Sequence, residues 1–146
     1  MKLIRFGEPG RESPGVVDLE GQRRDVSVFG EDWDEGFFAS DGLARLASWF
    51  SENGSSCPMV PEEVRLGPCI ARPSKIICIG LNYAGHVKET GADVPAEPVV
   101  FFKSTTALCG PNDDIVYPPN ATKPDWEAEL AFVIGRSAKH VGEGEA

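Results

Sequence analysis

The familiar signatures of nucleotide and hydrolase chemistry are missing from this sequence. It has no G-x-x-x-x-G-K-[ST] phosphate loop and no G-x-G-x-x-G after a strand, so it does not present the usual phosphate cradles. It also lacks the G-x-S-x-G elbow of serine hydrolases and the H-E-x-x-H pair of zinc proteases. Basic residues are scarce: 14 Lys and Arg stand against 23 Asp and Glu, a net charge of -9. Nucleic acid and anionic membrane surfaces need Lys/Arg stripes, so neither is expected as a partner. No window approaches the roughly 20 apolar residues of a membrane span. The N-terminus, Met1 to Glu8, has no apolar signal region. A cytoplasmic location follows as the expectation. Only four cysteines occur (Cys57, Cys69, Cys78 and Cys109), none in a C-x-x-C pair and none near a histidine in sequence, which argues against a zinc knuckle. Cys78 and Cys109 lie in apolar surroundings and read as small buried hydrophobes with reduced thiols. Internal repeats and low-complexity tracts are absent.

What is present is an ordinary globular composition, 41% hydrophobic and 25% charged over 146 residues. That length suits one domain, or one domain with a small extra module. Residues 1 to about 65 read as such a module. Lys2–Phe6 is expected to be a strand. The runs Gly15–Leu19 and Gln22–Val26 flank Glu20-Gly21 and predict a hairpin. Asp32–Gly36 reads as a loop. Leu43, Leu46, Ala47 and Phe50 follow the i, i+3, i+4, i+7 pattern of a helix, with Ser40 or Asp41 to cap its start and Gly54 to end it. Glu63–Leu66 is expected to be a short strand. Nothing in this module gathers chemical groups, so its expected job is packing or covering.

The second part holds three apolar runs that read as strands, Lys75–Gly80, Val99–Lys103 and Leu130–Ile134, with a shorter one at Ile115–Tyr117. Polar groups placed straight after a buried strand are a common way to build a site. After the first run come His86 and Glu89, three residues apart and so on one face of a helical turn that Asn82 can cap. A carboxylate beside an imidazole fixes its tautomer and raises its basicity, which suits proton abstraction or activation of a water. A plain surface His near a surface Glu is the other reading. Lys103 sits at the end of the second run, a place for a site residue or a solvated cation. Asp125-Trp126-Glu127-Ala128-Glu129 opens the third run. Strand alternation would point Asp125, Glu127 and Glu129 to one face. Carboxylates at the mouth of a buried strand resent desolvation, so either a hard divalent cation sits among them or they are the solvated start of the strand.

These blocks together resemble one family. Ile79-Gly80-Leu81-Asn82-Tyr83 with His86 and Glu89, then Pro98-Val99-Val100-Phe101-Phe102-Lys103, then Gly110-Pro111, then Asp125–Leu130 with Val133-Ile134-Gly135, are similar in order and spacing to the fumarylacetoacetate hydrolase family. The resemblance covers roughly residues 64 to 142. The start Met1-Lys2-Leu3-Ile4-Arg5-Phe6-Gly7 looks like the N-terminal domain of bacterial members, and the nearest branch is the one that hydrolyses 2,4-diketo-3-deoxy sugar acids.

The resemblance implies an α+β, mainly β fold: an N-terminal module over residues 1–65, then the first part of a mixed β-roll over 66–146. It implies a hydrolase that cleaves a C–C bond in a 2,4-diketo acid through a metal-stabilised enolate. Decarboxylase, isomerase and lyase activities are alternatives within the family. Glu127 and Glu129 match the E-x-E carboxylates that bind Mg²⁺, or Mn²⁺ or Ca²⁺; Asp125 could stand in for a further ligand by geometry, but the pattern places it off the metal. His86 and Glu89 match the acid/base pair, and Lys103 a strand-end Lys near the substrate. The implied partners are a small diketo acid and a second copy of the chain in a homodimer. The family's third metal carboxylate, an Asp beyond the E-x-E strand, has no match through Ala146. The chain therefore reads as about the first half of a member, and the alternative is a catalytically incomplete fragment or interaction module of the same fold.

Overall fold

A computed structural model describes residues 1–145. These described residues form five β-strands and three α-helices, an α+β arrangement. The chain divides into two compact units: Met1–Ala71 together with the segment that starts at Cys109, and Arg72–Leu108.

The first unit is built on an antiparallel sheet of β1 (Lys2–Phe6), β2 (Ser13–Val17) and β3 (Arg23–Asp25), in that order. Lys2 pairs with Val17 and Phe6 with Ser13, and Val16 pairs with Arg24. The β2–β3 turn is the expected hairpin. Asp18 closes it by accepting the N–H groups of Glu20 and Gln22 at 3.1 and 2.8 Å, and Gly21 takes the left-handed backbone (φ +83°). Gly15 keeps β2 close to its neighbours: a Cβ there would press against Phe6 and the Arg24 carbonyl.

Two helices cover the sheet's apolar residues. α1 (Glu35–Ala39) starts inside the Asp32–Gly36 stretch that reads as a loop; it forms because Asp34 caps it, accepting from the Phe37 N–H at 3.0 Å. α2 (Gly42–Asn53) is the predicted helix. Its start owes nothing to a capping side chain, since Asp41 is left-handed (φ +58°) and makes no side-chain cap bond. Gly42 instead lets α2 approach α1, because a Cβ would collide with the Phe37 ring and carbonyl. Val16, Val26, Trp33, Phe37, Leu46 and Cys57 form the core. Trp33 is fully buried, and its indole N–H is satisfied by the Ile4 carbonyl at 2.8 Å.

The Glu63–Leu66 strand is not formed; Leu66 makes a single bridge to Phe6. The same edge carries a charged cluster. Arg5 donates to both oxygens of Asp32 at 2.8 and 3.0 Å, and lies 3.5 Å from Glu12. Arg65 donates to Glu12 at 3.0 Å and to both oxygens of Asp113 at 2.7 and 2.6 Å.

The second unit is β4 (Ile76–Gly80), α3 (Ala84–Thr90) and β5 (Val99–Lys103). β4 and β5 pair antiparallel, Ile76 with Lys103 and Gly80 with Val99. Both strands stand where the sequence predicts them, but they are not buried. Ile77, Ile79, Val100 and Phe102 share one face of the ribbon, and all are exposed. Cys78 is half-buried and Cys109 exposed, against the expectation of two buried thiols.

Two further expected strands are missing. Ile115–Tyr117 and Leu130–Ile134 do not form strands and are exposed, Leu130 at 83% and Phe132 at 81%. Side-chain pattern alone does not make a strand. A ladder also needs a second segment whose N–H and C=O groups run in register with its own.

Candidate metal and acid–base site

α3 carries the acid–base candidates. Leu81, left-handed at φ +52°, turns the chain out of β4, and the helix starts three residues later. Tyr83 holds the cap position, so the expected cap by Asn82 is not used. Gly91 ends the helix in a left-handed cap, its N–H reaching back to the Lys88 and Val87 carbonyls. Val87 is buried and fixes which side of α3 turns inward. His86 and Glu89 lie on one turn, three residues apart, and both are exposed to solvent. Their side chains make no hydrogen bond or ion pair with each other among the described residues. A catalytic hydrogen bond that closes only when substrate binds is ordinary in enzymes.

Lys103 ends β5 opposite Ile76 and is exposed. The next residue, Ser104, turns the chain by accepting the Thr106 N–H at 3.3 Å, and its hydroxyl lies 2.7 Å from that of Thr106. A cation and two hydroxyls thus cluster at one strand end, a suitable place to meet an anionic substrate.

Glu127 and Glu129 lie in the first unit, on a segment without a ladder, and both are exposed. They are near each other by sequence alone. Asp125 accepts the N–H of Trp126 at 2.9 Å, which turns it to its own backbone. Among the described residues, no group of three or more His, Cys, Asp or Glu side chains could hold a metal ion. Two carboxylates have the right donor chemistry for a hard cation of six or more oxygen ligands, but they do not complete a cage.

The segment that holds all five candidates also matches a family model, "Fumarylacetoacetate (FAA) hydrolase C-terminal", over residues 75–146. The match covers 72 of the 146 residues and makes this segment similar to the fumarylacetoacetate hydrolase family. Relatives extend the likeness through the N-terminal module. A Burkholderia multivorans protein is 47% identical over all 146 residues, and proteins of Burkholderia cenocepacia and Burkholderia lata are 46% and 45% identical over the same length. Each carries the name "putative hydrolase". The chain covers 51% of each relative, so it spans about half their length. Within the fumarylacetoacetate hydrolase segment lie all of His86, Glu89, Lys103, Glu127 and Glu129.

What sequence reasoning missed is the Arg65–Asp113 pair and its link to Glu12. Its members are 48 and 53 residues apart, so no local pattern announces them.

Proposed function

We propose that this chain carries the acid–base pair and two metal carboxylates of a metal-dependent hydrolase that cleaves a C–C bond in a 2,4-diketo acid, a fumarylacetoacetate-like or 2,4-diketo-3-deoxy sugar acid. The observation that carries the reading is the placement of His86 and Glu89 on one exposed turn soon after β4, inside the matched segment. Residues 1–65 are the N-terminal module, and 66–146 the first part of the catalytic domain. The whole protein is a cytoplasmic homodimer. Among the described residues no helix is long and apolar enough to cross a membrane.

His86 takes a proton from a water while Glu89 holds its tautomer and favours the charged imidazolium. The hydroxide adds to the carbonyl carbon. The C–C bond then breaks, and its electron pair stays on the departing carbon as an enolate. The imidazolium returns the proton to that carbon, so one water and one diketo acid give a carboxylic acid and a 2-oxo acid. Lys103 pairs with the substrate carboxylate. Glu127 and Glu129 would hold Mg²⁺, or Mn²⁺ or Ca²⁺; such an ion supplies Lewis-acid polarisation of the carbonyl.

The test uses calorimetric titration with Mg²⁺ and Mn²⁺ and an absorbance assay on an acylpyruvate. Glu127→Gln with Glu129→Gln should abolish the heat of metal binding. His86→Ala should abolish turnover and leave that heat intact. Turnover that survives His86→Ala sinks the acid–base role. A second reading has its own support: the exposed Ile77, Ile79, Val100 and Phe102 of the β4–β5 ribbon and the exposed 130–134 run fit a catalytically incomplete member of the fold. Metal-independent absence of turnover with every candidate residue in place favours it.

A further inference from the structure

We propose that Arg65 and Asp113 are positioning residues: they clasp the two points where the 72–108 excursion leaves and rejoins the first unit, and so keep β4 paired with β5. The reading depends on the proposed function only for what His86, Glu89 and Lys103 do.

The excursion has little of its own to hold it. Val87 is the only buried hydrophobic side chain among its described residues, and the ribbon face of Ile77, Ile79, Val100 and Phe102 is open to water while Ile76 and Cys78 on the other are only half-buried. A two-stranded ribbon of this kind is marginal by itself. Its two feet, by contrast, are fixed. The outgoing foot ends at Ala71, fully buried, whose N–H donates to the Trp33 carbonyl at 2.9 Å. The returning foot begins at Gly110, also buried, and so close to the Leu66 carbonyl that a Cβ would collide with it. Asp113 accepts the Gly110 N–H at 2.6 Å and both prongs of the Arg65 guanidinium at 2.7 and 2.6 Å. Arg65 is locked in turn by the Gly7 carbonyl at 2.9 Å and by Glu12 at 3.0 Å. Bidentate Arg–carboxylate geometry of this kind defines direction as well as distance.

Loop closure links clasp and ribbon. The clasp ties residues 48 apart, and the Ile76–Lys103 pair lies inside that loop, with connectors of about ten residues on either side. Once one contact is made, the other closes a much shorter loop, and the coupling is reciprocal. The clasp thus acts on the ribbon through chain connectivity alone, by holding the two ends of the 72–108 excursion.

Hydrogen exchange on the whole chain tests this. Asp113→Ala should speed exchange of the amides in 76–80 and 99–103 by about tenfold, while those of Val16, Val26 and Leu46 stay within about twofold. Asp113→Asn, a milder change that keeps the acceptor for Gly110, should show the same pattern at reduced size, and Arg65→Lys, which keeps the charge without the fork, should fall between wild type and Asp113→Ala. The proposal is overturned if ribbon exchange is unmoved in Asp113→Ala and Asp113→Asn, or if the core amides accelerate as much as the ribbon. Loss of metal binding or turnover would strike the proposed function and leave this result untouched.

Discussion

Glu12 is the most informative single side chain to neutralise. It is buried at the sheet edge between two guanidinium groups, 3.0 Å from Arg65 and 3.5 Å from Arg5. Burial pushes its carboxyl up, but backbone N–H groups, the Arg65 hydrogen bond and the Arg5 charge pull harder, and the net position is below the ordinary 4.5. Glu12→Gln keeps the shape and removes the charge. Breaking a buried pair by deleting one partner costs about 3–5 kcal/mol where the other charge is stranded. Neither arginine is stranded here: Arg5 keeps both bonds to Asp32, and Arg65 keeps both to Asp113. The expected loss at pH 7 is therefore about 1–2 kcal/mol, the worth of one charge-assisted hydrogen bond and a longer ion pair. The folded-state pKa is depressed, so Glu12 contributes stability that is full above the unfolded carboxylate value and fades as pH falls through the folded one. Urea unfolding should show the deficit of Glu12→Gln at pH 7, then watch it shrink below pH 4.5 as wild type itself takes up the proton. A deficit of the same size at pH 3 and pH 7, or none at pH 7, would refute the account.

Other consequences are simpler. Leu46 is fully buried in the core, so Leu46→Ala should lower stability by about 2–5 kcal/mol, read as a drop in the urea midpoint at unchanged slope. Gly42→Ala would gain helix propensity in isolation yet should destabilise, because its Cβ collides with Phe37; a rise in the midpoint would show that α1 and α2 do not approach so closely. Trp126 is 82% exposed while Trp33 is buried, so Trp126→Phe should remove most of the iodide-quenchable emission. Phe102, 69% exposed on the ribbon, should promote self-association, and Phe102→Lys should reduce the concentration dependence seen in sedimentation.

The sequence was legible where order is local. The hairpin at Asp18–Gln22 follows from its own turn residues, and α2 from apolar spacing within one helix. β4 and β5 announced themselves by composition, and α3 placed His86 and Glu89 on one turn as their spacing requires. α1 was missed because its apolar residues are few and its cause is one capping aspartate, Asp34. The fold was illegible where it depends on distant partners. Leu130–Ile134 has strand composition, but a ladder is a property of two segments. The Arg65–Asp113 clasp unites charges that look like ordinary surface residues in sequence.

Burial of the 130–134 run and metal binding at Glu127 and Glu129 are one physical question. The case for a cation among these carboxylates began from desolvation: acids at the mouth of a buried strand need a counter-charge. In this chain Leu130 and Phe132 are open to water, and so are the two glutamates. Exposed carboxylates repel weakly at high dielectric and need no cation. Their geometry is also unfixed, so a metal would have to order them as it binds and still fill most of its coordination with water. Affinity should then sit near the weak end for hard cations, about 10⁻⁴–10⁻³ M, for the chain as it stands. Covering the apolar run would change both terms together. It would fix the alternation that points Glu127 and Glu129 the same way, and it would lower the dielectric around them. Metal affinity and the protection of the Leu130–Ile134 amides should therefore rise in step under any condition that orders this segment. A tightly held Mg²⁺ on a segment whose amides still exchange freely would break that link.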